Sequence, residues 1–369
     1  DITETIAQRV RNDWRGQVSY AKDFGLSKTK IQIGTQVEDN LNTNFSASKT
    51  GFELDRYYLD NGDGKTASAS GGASDWSMAS FYGRFNYDYD DKYLFEATGR
   101  YDGSSRFVDG QKWGFFPSVS AGWVVSKEKF MESMDDYISF LKFRASYGLL
   151  GNQDIGNYPY ASTIDTGYSY WIDKQLASGV AQTTLSNSDI SWEKSQQVNF
   201  GLDASIFSKK LAITFDYYIK DVYDMLMVYP VPYYTGLNAT YSNAGDMENK
   251  GWETTLTYKG KIGEFNFGIT GTLSNNENKI TKLYGSYPDR SVTLGYPNGG
   301  IWGYKTDGYY VDANDVANSP RLSNSAKPGY VKYVKMDPSG LNPTLITDSD
   351  KVYLGDPFPH FEYGLNLTG

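Results

Sequence analysis

The side chains best suited to binding a ligand are aromatic residues in segments that lack a two-residue alternation. Tyr170 and Trp171 lie in one such segment, and Trp302 and Tyr304 lie in another. A flat aromatic ring stacks on a sugar ring or an apolar side chain, and its hydroxyl or indole N–H adds a directional hydrogen bond. We predict that all four contact a ligand, with Trp171 and Trp302 as the strongest candidates. The alternative is packing within loops or at a membrane interface.

Residues for bond-making chemistry are scarce. The chain has no cysteine and a single histidine, His360, so it offers neither a thiolate nucleophile nor a histidine pair for zinc. Residues 60–64 are similar to a calcium-binding loop, but glycines stand at ligand positions and no glutamate closes the loop. Asp135 and Asp136 are adjacent carboxylates without a recognisable partner, which favours a solvated turn over acid–base catalysis. We therefore predict no enzyme activity, no metal site and no cofactor.

Composition excludes further classes of protein. The 369 residues carry a net charge of -9, which argues against a nucleic-acid partner because phosphate-binding surfaces are basic. Only 39% of the residues are hydrophobic, and no run approaches the roughly 18 apolar residues that a membrane-spanning helix requires. Aromatic residues reach 16%, with 32 tyrosines, a profile that suits exposed strands better than a helical core.

The elements that must position these residues are β-strands, and residues 81–101 define them most clearly. Phe81 and Phe85 occupy one face of the first stretch, Arg84 lies on the other, and the alternation resumes after a turn at residues 90–92. A tilted membrane-spanning strand needs roughly 9–11 residues, whereas strands of soluble proteins usually have about 5–6. The length and the polar opposite face indicate a hairpin of an outer-membrane β-barrel; a soluble, tyrosine-rich sandwich is the alternative.

Similar hairpins recur along the chain and give about ten or eleven antiparallel strands. The predicted fold is therefore all-β, an antiparallel transmembrane β-barrel in which short periplasmic turns alternate with long extracellular loops. One loop is expected to include residues 67–74, because that stretch contains only serine, alanine and glycine. The short connections are expected at residues 25–28, 90–92, 208–210 and 259–264, with a longer one at 127–139, and the long connections at 40–77, 102–114, 152–190, 229–246 and 281–358.

The charged residues in the middle of the predicted strands all occupy the same face of their strand. Every charge there falls on the face opposite the aromatic residues. A Lys or Arg that faces lipid near the midplane costs about 2–4 kcal/mol, so the charged face is expected to line the lumen of the barrel. The seven residues that carry these charges are Arg84, Glu96, Arg100, Arg144, Asp203, Asp216 and Glu253.

A series of short motifs accompanies the strands in a recognisable order. The motifs are GRYDGSSRF at 99–107, WGFFPSVSAGW at 113–123, EKFM at 128–131, LKFRASYG at 141–148, WEK at 192–194, NFGLD at 199–203, NKGWE at 249–253, GYKTDG at 303–308, GDPFP at 355–359 and YGLN at 363–366. The series covers nearly the whole chain. It resembles the SusC/RagA class of TonB-dependent outer-membrane transporters.

The resemblance implies a parent protein larger than this chain. Members of the class have about 22 strands, an N-terminal plug inside the barrel and a box that contacts TonB. On that basis residues 1–369 form part of one transmembrane β-barrel domain, and the plug and the C-terminal strands lie outside the chain. The chain starts without Met or an apolar secretion segment, which fits a fragment of an exported protein. The lumen-facing residues expected to contact the plug are Arg84, Glu96, Arg100 and Arg144.

The same resemblance implies active import of large nutrients, either glycan oligomers or peptides, across the bacterial outer membrane. The expected partners are a SusD-like surface lipoprotein, TonB through the plug, membrane lipid, and the oligosaccharide or peptide itself. The alternative function is a SusC-like scaffold in an outer-membrane assembly or secretion complex, which would lack a usable TonB box. A passive porin does not fit the motifs, and a hydrolase lacks a nucleophile–base pair.

Overall fold

The computed structural model describes residues 1–52, 58–285, 287, 290–337 and 344–369. The described chain is built mainly of strands, with one short helix, α1 (Ala313–Asn318), and several 3-10 turns. The strands are β1 (Ile2–Phe24), β2 (Ser27–Lys49), β3 (Ser68–Tyr89), β4 (Tyr93–Ser104), β5 (Trp113–Val124), β6 (Ile138–Asn152), β7 (Asp165–Ile172), β8 (Gln175–Ala181), β9 (Glu193–Ile206), β10 (Leu211–Tyr223), β11 (Leu226–Val228), β12 (Tyr241–Asn243), β13 (Gly245–Ile262), β14 (Phe265–Leu283), β15 (Ile301–Gly303), β16 (Thr306–Tyr309), β17 (Val331–Tyr333), β18 (Val352–Gly355) and β19 (Phe361–Thr368).

Eleven strands form one antiparallel sheet in the order β1-β2-β3-β4-β5-β6-β9-β10-β13-β14-β19. The remaining strands pair two by two within the connections, as β7 with β8, β11 with β12, β15 with β18 and β16 with β17. The prediction of an all-β, antiparallel fold with ten or eleven principal strands is confirmed. The described part of the chain has no helix that is both long enough and apolar enough to cross a membrane.

The strand register places the aromatic residues on one continuous face, which we call the outer face. Phe81 lies opposite Tyr101, and Ala145 lies opposite both Ala121 and Phe200. Phe200 is 57% exposed, and most of the large side chains of this face are exposed as well. A water-soluble sandwich would bury such a row beneath a second sheet. The soluble-sandwich alternative is therefore wrong, and the outer face is suited to lipid.

The connections alternate in length as the sequence predicts. The turns at one end of the sheet comprise residues 25–26, 90–92, 207–210 and 263–264, with a longer connection at 125–137. At the other end lie 50–67, 105–112, 153–192, 224–244 and 284–360. We call these the short-turn end and the long-loop end of the sheet.

The hairpin of β2 and β3 is longer than expected. Residues 40–49 and 68–77 belong to these strands, so the predicted loop at 40–77 shrinks to 50–67, and the loop expected to include 67–74 is wrong. Asn40 pairs with Trp76, and Ser46 pairs with Ser70. A ladder of backbone hydrogen bonds needs no apolar side chains, and beyond the lipid nothing imposes an apolar alternation. These strand ends consist of small polar residues, so a search for alternating hydrophobic residues does not find them.

The hydrophobic core lies among the external connections. Phe107, Phe116, Ile155, Ile190 and Trp192 form it, and all five are nearly inaccessible to solvent. These residues come from β5 and from connections 105–112 and 153–192, so the core packs two connections of the long-loop end against the sheet. We call it the loop core.

Candidate functional site

The inner face carries a charge network centred on Arg144 of β6. Its guanidinium donates to Asp203 Oδ2 on β9 at 2.8 Å and to Asp216 Oδ2 on β10 at 3.0 Å. Asn199 donates to Asp216 Oδ1 at 2.8 Å. One arginine thus ties three adjacent strands together through charge-assisted bonds.

A glycine makes this network possible. Gly201 lies on β9 between Arg144 of β6 and Asp216 of β10, in register with both. A Cβ atom at this position would lie 2.6 Å from Arg144 Cζ and 2.7 Å from Asp216 Oδ1. The absent side chain therefore leaves the space that the guanidinium occupies.

The other predicted lumen residues also lie on the inner face. Arg84 and Glu96 form an ion pair across β3 and β4. Arg100 donates to Asp102 Oδ2 at 2.9 Å and to Ser80 Oγ at 2.9 Å. The structure therefore brings Arg84 and Glu96 together and places Arg100 in a separate network. Contact of any of them with a plug stays a prediction.

Two lysines without an ion-pair partner in the described part of the chain lie on the inner face, and the sequence analysis did not single them out as site residues. Lys30 and Lys142 have no ion-pair partner among the described residues. Both line a groove of about 640 Å³ on the inner face, together with Glu96 and Arg144. The sequence contained the signal for Lys142, because it shares the parity of Arg144 two residues further along. The lining of the groove carries charges of both signs, with Lys28, Lys30, Lys142 and Arg144 beside Asp23, Asp88 and Glu96.

Trp171 and Tyr170 lie on the external hairpin of β7 and β8. Trp171 is 71% exposed, Tyr170 is also exposed, and neither ring stacks on another ring within the described chain. The hairpin turns through Asp173 and Lys174, which both have positive φ. At its base, Asn238 N donates to the carbonyl of residue 183 at 2.6 Å, which ties the hairpin to the connection 224–244. These rings are therefore available for stacking on a ligand.

Trp302 and Tyr304 lie in a different external connection, and both are partly buried. The Trp302 ring contacts Tyr296, with centroids 4.9 Å apart, and Tyr353, with centroids 5.9 Å apart. Tyr304 packs edge-on against Tyr333 at 5.6 Å. Much of their aromatic surface is thus used within the loop. Whether any of the four predicted aromatic residues binds a substrate stays a prediction.

The connection 284–360 that carries Trp302 and Tyr304 contains several ion pairs, among them Lys335–Asp350 at 2.9 Å and Lys332–Asp315 at 3.0 Å. Asp350 is fully buried, pairs with Lys335 Nζ at 2.9 Å and accepts the backbone N–H of Thr347 at 2.8 Å. Burial raises the pKa of Asp350, but hydrogen bonds from backbone N–H groups and from Lys335 outweigh it and hold the pKa well below its usual value. Hydrogen bonds from the Ser319 hydroxyl, a backbone N–H and an ammonium group lower the pKa of Asp315 to about 2.

Strong acid is expected to loosen this connection. Both carboxyl groups have folded pKa values below the ordinary aspartate value of about 3.9. Their stabilisation is therefore complete above that value and is lost as the pH falls through the folded pKa, about 2 for Asp315. Pepsin digestion of the full-length protein should cut residues 284–360 faster near pH 2 than near pH 4, relative to other loops. Asp315→Asn should weaken that dependence; an unchanged dependence would contradict the assignment.

Comparison with known proteins agrees with this geometry. The family model for the TonB dependent receptor-like β-barrel matches residues 3–333. TonB-dependent receptor P3 of Formosa agariphila is 31% identical over 366 residues, covering 95% of this chain and 36% of the receptor. TonB-dependent receptor SusC of Bacteroides thetaiotaomicron is 30% identical over 273 residues, covering 73% of this chain and 27% of that protein. The structure of the RagAB peptide transporter superimposes with a TM-score of 0.84 at 25% identity, covering 99% of this chain and 40% of the matched chain.

The chain spans about a third of the length of the curated relatives that it matches. Its eleven-stranded sheet, its apolar outer face and its charged inner face are those of a barrel wall in the bacterial outer membrane. The resemblance to the SusC/RagA class is confirmed. This chain belongs to the TonB-dependent receptor family, as a SusC/RagA-type β-barrel of the outer membrane.

Proposed function

We propose that residues 1–369 are part of the barrel domain of an importer that takes up large oligomers, either glycans or peptides. The observation that carries this proposal is the division of the sheet into an apolar outer face and a charged inner face, with exposed aromatic rings on an external hairpin. A wall of this kind encloses a wet path and holds binding groups at its outer mouth. The similarity to SusC and to the RagAB peptide transporter supports the same function.

The importer requires partners that lie outside this chain. We propose a plug within the lumen, TonB acting on that plug, and a surface lipoprotein over the external loops. The unpaired Lys30 and Lys142 offer the plug cationic contacts on the inner face. The loop core holds two external connections in place, so a lipoprotein would meet a prearranged surface rather than a mobile one.

Uptake by a strain that lacks the chromosomal gene tests this function. The full-length gene should restore growth on one class of oligomer, glycan or peptide, and deletion of TonB should abolish that growth. Growth that is unchanged by loss of the gene on every oligomer would contradict import and would favour the scaffold alternative.

A substitution on the β7–β8 hairpin tests its role in binding. Trp171→Ala should weaken uptake at limiting oligomer by roughly two- to tenfold, because one stacking contact contributes about 0.5–1.5 kcal/mol. Val180→Ala removes an exposed apolar side chain from the same hairpin and should leave uptake unchanged. Equal effects of the two substitutions would indicate that the hairpin does not recognise substrate through its aromatic ring.

A further inference from the structure

The connection 125–137 is the one long segment at the short-turn end of the described sheet. It contains the motif EKFM at 128–131, which neither the inner-face network nor the external aromatic residues use. In bacterial barrels the short-turn end faces the periplasm, where turns are normally brief. A thirteen-residue connection with its own structure at this end therefore calls for a physical explanation.

Glu128 fixes where this segment begins relative to the sheet. Its Oε1 accepts hydrogen bonds from the Tyr93 hydroxyl at 2.5 Å and from Trp123 Nε1 at 3.1 Å. Tyr93 and Trp123 lie directly opposite each other on the outer face, at its short-turn edge. The carboxylate therefore holds the connection against the lipid-facing side of the wall rather than over the lumen.

The residues after Glu128 present apolar side chains to the surroundings. A 3-10 turn spans Lys129–Met134, and within it Met131 is buried while Phe130 is 65% exposed and Met134 is also exposed. The buried Met131 fastens the turn to the protein, and the exposed pair points away from it. Exposed large apolar side chains next to an aromatic belt are typical of segments that lie in a membrane interface.

Residues 128–134 carry one basic side chain, Lys129, and two acidic ones, Glu128 and Glu132, and only the basic one can meet a lipid phosphate. Lys129 is exposed and has no ion-pair partner among the described residues, whereas the neighbouring Lys127 approaches Asp91 at 3.5 Å. An ammonium beside inserted aromatic and aliphatic side chains is placed to meet a lipid phosphate. Trp123, which donates to Glu128, is itself exposed on the outer face.

We propose that residues 128–134 form a lipid anchor in the headgroup layer of the periplasmic leaflet. Phe130 and Met134 insert among the acyl-chain segments next to the headgroups, Lys129 meets a phospholipid phosphate, and Glu128 holds the segment to Tyr93 and Trp123. The anchor fixes the height of the barrel at the β5–β6 edge. This proposal rests on the outer-membrane location and is independent of what the barrel transports.

Site-directed spin labelling of the full-length protein in phospholipid vesicles tests the anchor. The chain has no cysteine of its own, so Phe130→Cys and Met134→Cys provide defined labelling sites within it. Nitroxides at both positions should collide with dissolved oxygen severalfold more often than with a water-soluble nickel chelate. The matched control is Glu132→Cys on the same turn, where the nickel chelate should dominate.

A second variant tests the role of Glu128. Glu128→Ala, combined with Phe130→Cys, should increase the mobility of the nitroxide and raise its collision rate with the nickel chelate relative to oxygen. Glu128→Gln, combined with the same labelling site, should largely preserve the depth of the nitroxide. A label at position 130 that behaves like the label at 132 would overturn the proposal. A label shielded from both reagents would also overturn it, since another protein would then cover the segment.

Discussion

Val119→Arg is expected to destabilise the barrel by about 2–4 kcal/mol, the cost of a cation that faces hydrocarbon near the midplane. Val119 lies in the middle of β5 on the outer face, opposite Ala97 on one neighbouring strand and Tyr147 on the other. No acidic side chain faces it across either neighbouring strand. The guanidinium could therefore reach water only by extending through the hydrocarbon toward a membrane interface. Equilibrium unfolding in urea, with the full-length protein refolded into lipid vesicles, measures the difference.

The matched control moves the same charge by one residue. Ser120 lies on the inner face, directly opposite Glu96. Ser120→Arg therefore places the cation in the wet lumen beside a carboxylate and should change the stability by roughly 0.5 kcal/mol or less, as ordinary surface substitutions do. Equal costs at positions 119 and 120 would mean that the two faces of β5 meet the same surroundings.

Trp192→Ala is expected to release the external loops while leaving the strands paired. Trp192 is 4% exposed, and its ring centroid lies 5.2 Å from that of Phe107 and 5.3 Å from that of Phe116. Its Nε1 also donates to the carbonyl of Lys112 at 2.9 Å. Removing a buried tryptophan costs about 3–5 kcal/mol, and here the destabilised part is the packing of the two connections against the sheet. Hydrogen exchange of backbone amides should become faster in residues 105–112 and 153–192, with little change in the paired strands β9 and β10.

Two further variants make the loop-core prediction specific. Trp192→Phe keeps most of the packing but loses the hydrogen bond, so it should cost only about 1–2 kcal/mol. Trp171→Ala removes a tryptophan from the exposed hairpin and should leave exchange unaltered. A uniform rise in exchange across the sheet in Trp192→Ala would show that the loop core supports the whole wall rather than the loops.

The sequence predicts the strands well wherever lipid constrains them. Phe81 and Phe85 alternate with polar neighbours because one side of β3 meets hydrocarbon and the other meets the lumen. The same strand begins at Ser68, where both sides meet water and the alternation disappears. The strand segments beyond the membrane are held by backbone pairing, such as that of Ser46 with Ser70, which no local pattern reveals.

The candidate site is only partly predictable, for a similar reason. Parity alone places Arg144 on the inner face, but its two aspartate partners become evident only from the register of β9 and β10. Phe116 has the parity of a lumen residue, yet it is buried because loops fold over it. The partners of Trp302, such as Tyr353, come from a distant part of the same connection, so sequence spacing gives no indication of its burial.

Alternating cysteine accessibility along β10 tests the division between lipid and lumen most directly. Thr214 and Tyr218 lie on the inner face, while Phe215 and Tyr217 lie on the outer face. A membrane-impermeant maleimide, applied to the full-length protein in vesicles, should label cysteines at 214 and 218 and spare those at 215 and 217, which only a lipid-soluble maleimide should reach. Uniform labelling of all four positions, or labelling with the opposite parity, would contradict a barrel wall with a lipid-facing outer side and a wet interior.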